Sequence, residues 1–387
     1  MWYFGSPTIV FGEDALNELT NLKGERAFIV TDANIARLGL VDKVTQHLTA
    51  AGLKYEVFAE VEPDPSIETV QRGAEKMRQY GPDWIIGLGG GSSMDAAKAM
   101  WVLYEHPEMV PEEISPLVPL GLGKKARLVT IPTTSGTGAE TTWAIVLTDT
   151  KEGRKLGLGS RENMAYMAIV DPALVTGLPA QIAADTGMDA LTHAIEGYTV
   201  TWHNDFCDGL CLMATKLIFE YLPRSVADAN DKEAREKMHN AASIAGLGFG
   251  NALAAMAHAM GHSMGAVFHT PHGRAVGLVL PYTIEFTGDA MAERYAEIAR
   301  FVNIPGAPSD QPARLLASAI RDLARKIGQP LTLKEAGISV EQFEAGLPKL
   351  IANAESDATL VVSARMPDSA ELERLFRYVF EGRPIDF

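Results

Sequence analysis

DWIIGLGGGSSMDAAKAMWVLY, residues 83–104, joins an apolar run to a helical pattern through three consecutive glycines. Its first part has the length and branched character of a buried strand, and its last part repeats apolar residues at helical spacing. Ser92 is the predicted N-cap of that helix, with Asp95 three residues on completing a capping-box-like start. Four more strand-like runs lie on either side: RAFIVT (26–31), KYEVFAEV (54–61), RLVTIPTT (127–134) and AIVD (168–171). Helical patterns separate them. Such alternation implies an α/β domain with a parallel sheet and helices on both faces. After Leu178-Pro179 the strand signals fade and helical patterns run from 181 nearly to the end, including amphipathic AELERLFRYVFEG (370–382). The expected organisation is therefore an α/β domain, 1–178, followed by an all-helical domain, 179–387.

The 387 residues are 47% hydrophobic, enough for a large core and for two domains. A formal charge of −15 disfavours a nucleic-acid partner, because phosphate binding needs a basic face. Two cysteines, Cys207 and Cys211, make no disulfide framework and read as buried thiols, consistent with a reducing cytoplasm. The N-terminal stretch lacks a basic segment followed by a long apolar one, so no signal peptide is expected. The most apolar region, 241–268, is interrupted by glycines, Asn251, His258 and His262, and reads as buried helices rather than a membrane span.

Four of nine histidines crowd into HAMGHSMGAVFHTPH, 258–272: His258, His262, His269 and His272. His258 and His262 are four apart. So are Asp189 and His193 in GMDALTHAIE. Residues four apart share a helix face, so each pair can aim two groups at one point. Together with His272, they supply three imidazoles and a carboxylate for a divalent transition metal. Either pair alone would fit an apolar helix with incidental histidines. His47, His106, His203 and His239 read as surface.

With these stretches in view, the chain resembles the iron-containing (group III) alcohol dehydrogenases. GGGSSMDAAK (89–98), IPTTSGTGAE (131–140), GMDALTHAIEGY (187–198) and HAMGHSMG with PHG (258–273) occur in the family's order. The resemblance implies a Rossmann-like dinucleotide domain and a helical metal domain, the fold shared with dehydroquinate synthase. It also implies a ligand set of Asp189, His193, His258 and His272, with His262 beside the substrate as a catalytic proton relay. Iron(II) is the implied metal, and zinc(II) accepts the same ligands. His269 has no implied role.

A glycine-rich turn before a helix lets backbone N–H groups approach a phosphate, though any tight strand–helix turn also wants glycine. The resemblance assigns Gly90, Gly91 and Ser92 to the pyrophosphate. It assigns Thr133, Thr134, Thr137 and Thr142 to cofactor contact and Lys155 to the nicotinamide ribose. Asp32 ends the RAFIVT strand, where a carboxylate accepts from ribose hydroxyls and repels a 2′-phosphate, so NAD is expected over NADP. A turn or N-cap aspartate is the alternative. Asp64 stands where the family often has Asn and is a second carboxylate by the cofactor. Phe249, Ala254 and Trp143 are pocket candidates. Ser263 replaces a family proline, and SARMP (363–367) replaces an Asn-Pro-Arg pattern.

The expected activity is hydride transfer between a small primary alcohol or diol, or the matching aldehyde, and NAD. The expected protein is a cytoplasmic homodimer without membrane partners. A lyase of the dehydroquinate-synthase type would need basic residues for a phosphate-bearing substrate, and 185–200 contains no Lys or Arg. A metal-binding protein without turnover is disfavoured by the cofactor motif in the same chain.

Overall fold

The computed structural model describes residues 3–387 and divides into two compact units, the first ending at Thr176 and the second beginning at Gly177.

The first unit contains eight strands: β1 (Thr8–Phe11), β2 (Arg26–Val30), β3 (Lys54–Phe58), β4 (Trp84–Gly89), β5 (Arg127–Pro132), β6 (Ala144–Asp149), β7 (Arg154–Gly159) and β8 (Met167–Val170). Its helices are α1 (Ala33–Arg37), α2 (Leu40–Ala50), α3 (Ile67–Tyr80) and α4 (Gly91–Glu105). Six strands form one parallel sheet in the order β1-β8-β5-β4-β2-β3. Side chains of a strand alternate between faces. Phe28 and Val30 accordingly join one apolar cluster with α3 and α4, while Ala27 and Ile29 join another with α2. Central strands are covered on both faces, which explains why all six residues of β4 are buried. From β2 the chain runs outward to β3, then returns to place β4 on the other side of β2. The order therefore reverses between β2 and β4, the position where open α/β sheets leave a crevice at their carboxyl ends.

Several features depart from the expected picture. β1 and the antiparallel β6–β7 hairpin were not anticipated. Ser92 is not the N-cap of α4. Gly90 holds that position in extended conformation (φ −79°, ψ −171°), and the helix begins at Gly91. With no Cβ at 90 or 91 the chain turns into the helix earlier, and Ser92 Oγ instead accepts from the backbone N–H of Asp64 at 3.2 Å. Asp95 is likewise not a cap partner; its Oδ2 accepts from Val146 N at 2.9 Å.

The second unit is helical: α5 (Ala180–Thr199), α6 (Asp205–Ala227), α7 (Lys232–Gly250), α8 (Met256–Phe268), α9 (His272–Phe286), α10 (Ala292–Phe301), α11 (Pro312–Lys326), α12 (Val340–Ser356) and α13 (Ser369–Glu381). α5 lies centrally, packed on α6, α7 and α9, and α8 packs on α9 and α12. Cys207 and Cys211 are buried free thiols. His203 is exposed and His47 and His106 are half-buried, but His239 is 1% exposed, against its expected surface position. The charged residues around MHN suggest a solvated face. However, α7 is enclosed by α5 and α6, so Met238, His239 and Ala242 share its inner side. No helix among the described residues is long and apolar enough to cross a membrane.

Candidate metal centre and dinucleotide loops

Asp189, His193 and Glu196 occupy positions i, i+4 and i+7 of α5 and therefore share one face. α8 contributes His258 and His262, and α9 contributes His272 as its first residue. One side-chain donor atom from each of Asp189, His193, His258 and His272 lies within 4.8 Å of the other three. Asp189 Oδ1 is the hub: 3.8 Å from His193 Nδ1, 3.9 Å from His258 Nε2 and 3.3 Å from His272 Nε2. Asp189 is 1% exposed and His258 3%.

A buried carboxylate oxygen without a hydrogen bond costs several kcal/mol unless a cation answers it. Asp189 Oδ1 and His258 Nε2 are both buried and have no hydrogen-bond partner among the described residues. Burial alone would raise the Asp189 pKa. The facing imidazoles of His193, His272 and His258 outweigh it and hold the carboxyl well below its usual range. One anionic oxygen and three ring nitrogens converge here, three of the four residues buried and His272 partly exposed, a donor set that fits iron(II) or zinc(II).

Side chains behind the donors fix their orientation. His258 Nδ1 donates to Glu196 Oε2 at 2.6 Å, and Glu196 also accepts from Ala255 N at 2.9 Å and Ala257 N at 2.6 Å. Burial pushes the His258 pKa down, but the hydrogen bond and charge of Glu196 raise it overall. The His193 ring stacks on Phe249, centroids 3.9 Å apart and planes at 12°. His262 stacks on His272 at 5.2 Å, and its Nδ1 donates to Asp357 Oδ2 at 2.8 Å. Burial lowers the His262 pKa in spite of that carboxylate. Asp357 is fixed in turn by the N–H and hydroxyl of Thr359. Ser263, where the family often has proline, donates from Oγ to Leu350 O at 2.8 Å and so ties α8 to α12. His269 is exposed and ends α8 in left-handed conformation (φ 55°). Ala254 is buried and Phe249 partly so.

In the first unit, most of the other predicted residues follow the carboxyl ends of β2, β3, β4 and β5, Gly91 and Ser92 within the first turn of α4; Lys155 lies in β7 of the separate hairpin. Asp32 caps α1, its Oδ1 accepting from Asn34 N at 2.8 Å and Ile35 N at 3.1 Å. It also flanks the β2/β4 crevice: a Cβ placed on Gly89 (φ 146°) would sit 3.6 Å from its Oδ2 and only 2.5 Å from Ser93 Oγ. Gly90 and Gly91 face the next loop, where added Cβ atoms would meet Thr134 Oγ1 at 3.6 Å and Thr137 Cγ2 at 3.0 Å. Thr133 Oγ1 is buried with no hydrogen-bond partner among the described residues. Bare backbone at a helix N-terminus, beside an unused hydroxyl, fits a phosphate. Thr142 is turned inward, accepting from the buried Lys98 Nζ at 3.3 Å, while Lys98 also donates to Ala144 O at 2.8 Å. Asp64 and Lys155 form an ion pair with each other at 2.7 Å, and Trp143 is partly buried at the base of β6.

Glu196 and Asp357 were missed from sequence. Glu196 carried a signal, since it lies seven residues after Asp189 on the same helix face. Asp357 had none, being 95 residues from His262.

Family models match almost the whole chain: iron-containing alcohol dehydrogenase over residues 6–172, and the C-terminal part of the Fe-containing alcohol dehydrogenase family over 183–380. NADPH-dependent butanol dehydrogenase of Clostridium saccharobutylicum is 42% identical over 381 residues, 98% of each chain. The aldehyde-alcohol dehydrogenase of Streptococcus pneumoniae serotype 4 is 39% identical over 96% of this chain, which spans only 45% of that longer protein. Among solved structures, a 1,3-propanediol oxidoreductase superposes with TM-score 0.91 at 32% identity, covering 98% of this chain and 100% of its own. An alcohol dehydrogenase from Oenococcus oeni gives 0.92 at 29%, with the same coverage.

Proposed function

The chain belongs to the iron-containing alcohol dehydrogenase family, and from that premise we propose that it interconverts a small primary alcohol or diol and its aldehyde, with NAD as preferred hydride carrier. The observation carrying the reading is the convergence of Asp189, His193, His258 and His272, the first three buried and His272 partly exposed. These four residues would hold iron(II), or zinc(II) in its place. When bound, the metal would supply Lewis acidity toward a substrate oxygen, and a nicotinamide would supply the hydride exchange with the carbinol carbon.

The protein's own part is to orient groups and move a proton. Asp357 accepts from Nδ1 of His262, which leaves Nε2 as the nitrogen able to take the alcohol proton or return it to the aldehyde oxygen. Burial keeps that ring neutral near pH 7, the form a proton acceptor needs. Phe249, stacked on His193, holds that ring in plane and gives the site an apolar wall. Gly90, Gly91 and Ser92 would carry the pyrophosphate, with Thr133, Thr134 and Thr137 beside it. Asp32 Oδ2 would accept from the adenosine ribose, and its charge supports NAD. The butanol dehydrogenase relative is NADPH-dependent, so cofactor choice is tested directly below. Lys155, paired with Asp64, is the candidate contact for the nicotinamide ribose. The homodimer and cytoplasmic setting implied by the resemblance belong to the same reading.

Absorbance at 340 nm, with a panel of alcohols and NAD on metal-free protein reconstituted with iron(II) or zinc(II), tests the activity. His193→Ala and His258→Ala should lose bound metal and turnover together, because a four-ligand site has no spare protein ligand. Full metal occupancy in both variants, read by mass spectrometry, would sink the assignment.

A further inference from the structure

Glu196 is 4% exposed, and its carboxylate faces three donors: the N–H groups of Ala255 and Ala257 at the start of α8, and Nδ1 of His258. A buried carboxylate is costly unless its lone pairs are met. Here all three partners belong to the segment that brings His258 to the site. Glu196 is therefore more than a cap supplied to α8 from a neighbouring helix. An ionised carboxylate only accepts, so the 2.6 Å contact requires Nδ1 of His258 to carry hydrogen. The neutral ring then has its lone pair on Nε2, the buried atom without a hydrogen-bond partner, 3.9 Å from Asp189 Oδ1.

We propose that Glu196 is a positioning residue of the metal centre: it fixes His258 in the Nδ1–H tautomer and ring orientation that present Nε2 to the cation. This rests on the reading of His258 as a ligand. α5 then holds both sides of the imidazole. Asp189 stands before Nε2 and Glu196, two turns along the same face, behind Nδ1. A carboxylate behind a ligating imidazole also makes the ring a stronger donor, and removing such a partner typically weakens metal binding by about 10–100-fold.

The test uses the full chain stripped of metal by chelation, with zinc(II) as the probe and its dissociation constant read by competition against a chromophoric chelator. Glu196→Gln preserves size and keeps one acceptor oxygen, but it loses the charge and replaces the second acceptor with an NH2 donor. Its zinc affinity should fall by about 10–100-fold while the metal-free protein melts within a few degrees of wild type. A wild-type zinc constant in Glu196→Gln would overturn the proposal. Failure of the wild-type chain itself to bind zinc would overturn the metal reading and this inference with it. If Glu196→Gln does not fold, ring-nitrogen NMR of 15N-histidine-labelled wild-type protein, metal-free and alkaline enough to hold His258 neutral, decides the matter. The His258 signals, assigned by their loss in His258→Asn, should show hydrogen on Nδ1. Hydrogen on Nε2 would overturn the proposal. A residue serving only to cap α8 would leave the tautomer unchanged in Glu196→Gln; a positioning residue predicts that the variant populates both.

Discussion

Gly273 directly follows His272, and its missing side chain sets how closely α9 approaches α5. A Cβ there would lie 2.9 Å from the carbonyl carbon of Asp185 and 3.0 Å from Cβ of Asp189, and nearer still to the Asp185 carbonyl oxygen. Carbon atoms in contact rest at about 3.5–4.0 Å, so Gly273→Ala must push the first turn of α9 away by roughly 0.5–1 Å. The obstacle is backbone and cannot swing aside. Because His272 is the adjacent residue, its imidazole moves by a similar distance, whereas metal–ligand distances tolerate about 0.2 Å. On an open helix, Ala for Gly would stabilise by about 1 kcal/mol. Here the overpacking should instead cost about 1–3 kcal/mol, a fall in Tm of about 2–12 °C for a unit of this size. Zinc affinity should fall at least about tenfold, equivalent to about 1.4 kcal/mol. Melting of the metal-free protein and chelator competition measure the two effects separately. An unchanged or raised Tm together with a wild-type zinc constant would refute the close-approach account of this glycine.

The remaining expectations concern cofactor choice, proton transfer and acid stability. Asp32→Gly should raise the NADP/NAD ratio of kcat/KM by at least about tenfold, since it removes a like charge from the 2′-phosphate position; an unchanged ratio with one alcohol at saturating metal would reduce Asp32 to the cap of α1. His262→Ala should keep its metal while turnover falls by roughly 10²–10⁴-fold, and unchanged turnover would mean that the ring only packs. Burial holds the His239 pKa at about 3, against 6.5 for a free histidine. The unfolded chain therefore takes up a proton that the folded chain refuses, so stability is full above pH 6.5 and falls as pH drops from 6.5 toward 3. By pH 5 the loss is about 2 kcal/mol; His239→Gln should remove that part of the slope in urea unfolding at pH 7.5 and 5.0, and parallel slopes would show that His239 protonates while folded.

The parts legible in sequence were those set by local rules. The glycine run after WIIGL, the strand–helix alternation and the change of character after Pro179 all act over short distances, and the parallel sheet and helical unit follow from them. Asp189, His193 and the 258–272 histidines were visible through helical spacing. What was lost depended on neighbours distant in sequence. His239 looks solvated in EKMHN because nothing local announces that α5 and α6 close over α7. Ser92 looks like a cap until the bare backbone of Gly90 takes that place. The β6–β7 hairpin was missed altogether: no strand-like run was picked out between 144 and 159, where the two strands pair with each other and not with the parallel sheet. Glu196 meets His258, and Asp357 meets His262, across 62 and 95 residues of chain.

Held by donors on α5, α8 and α9 as proposed, the ion would also be a participant in the folding equilibrium of the helical unit. An unfolded chain cannot gather groups as far apart as Asp189 and His272, so mass action favours the folded state by about 4 kcal/mol when free metal stands a thousandfold above its dissociation constant. Metal supply then governs how often these helices open to proteases. A cell short of the ion would lose the protein itself, by faster turnover, as well as its activity.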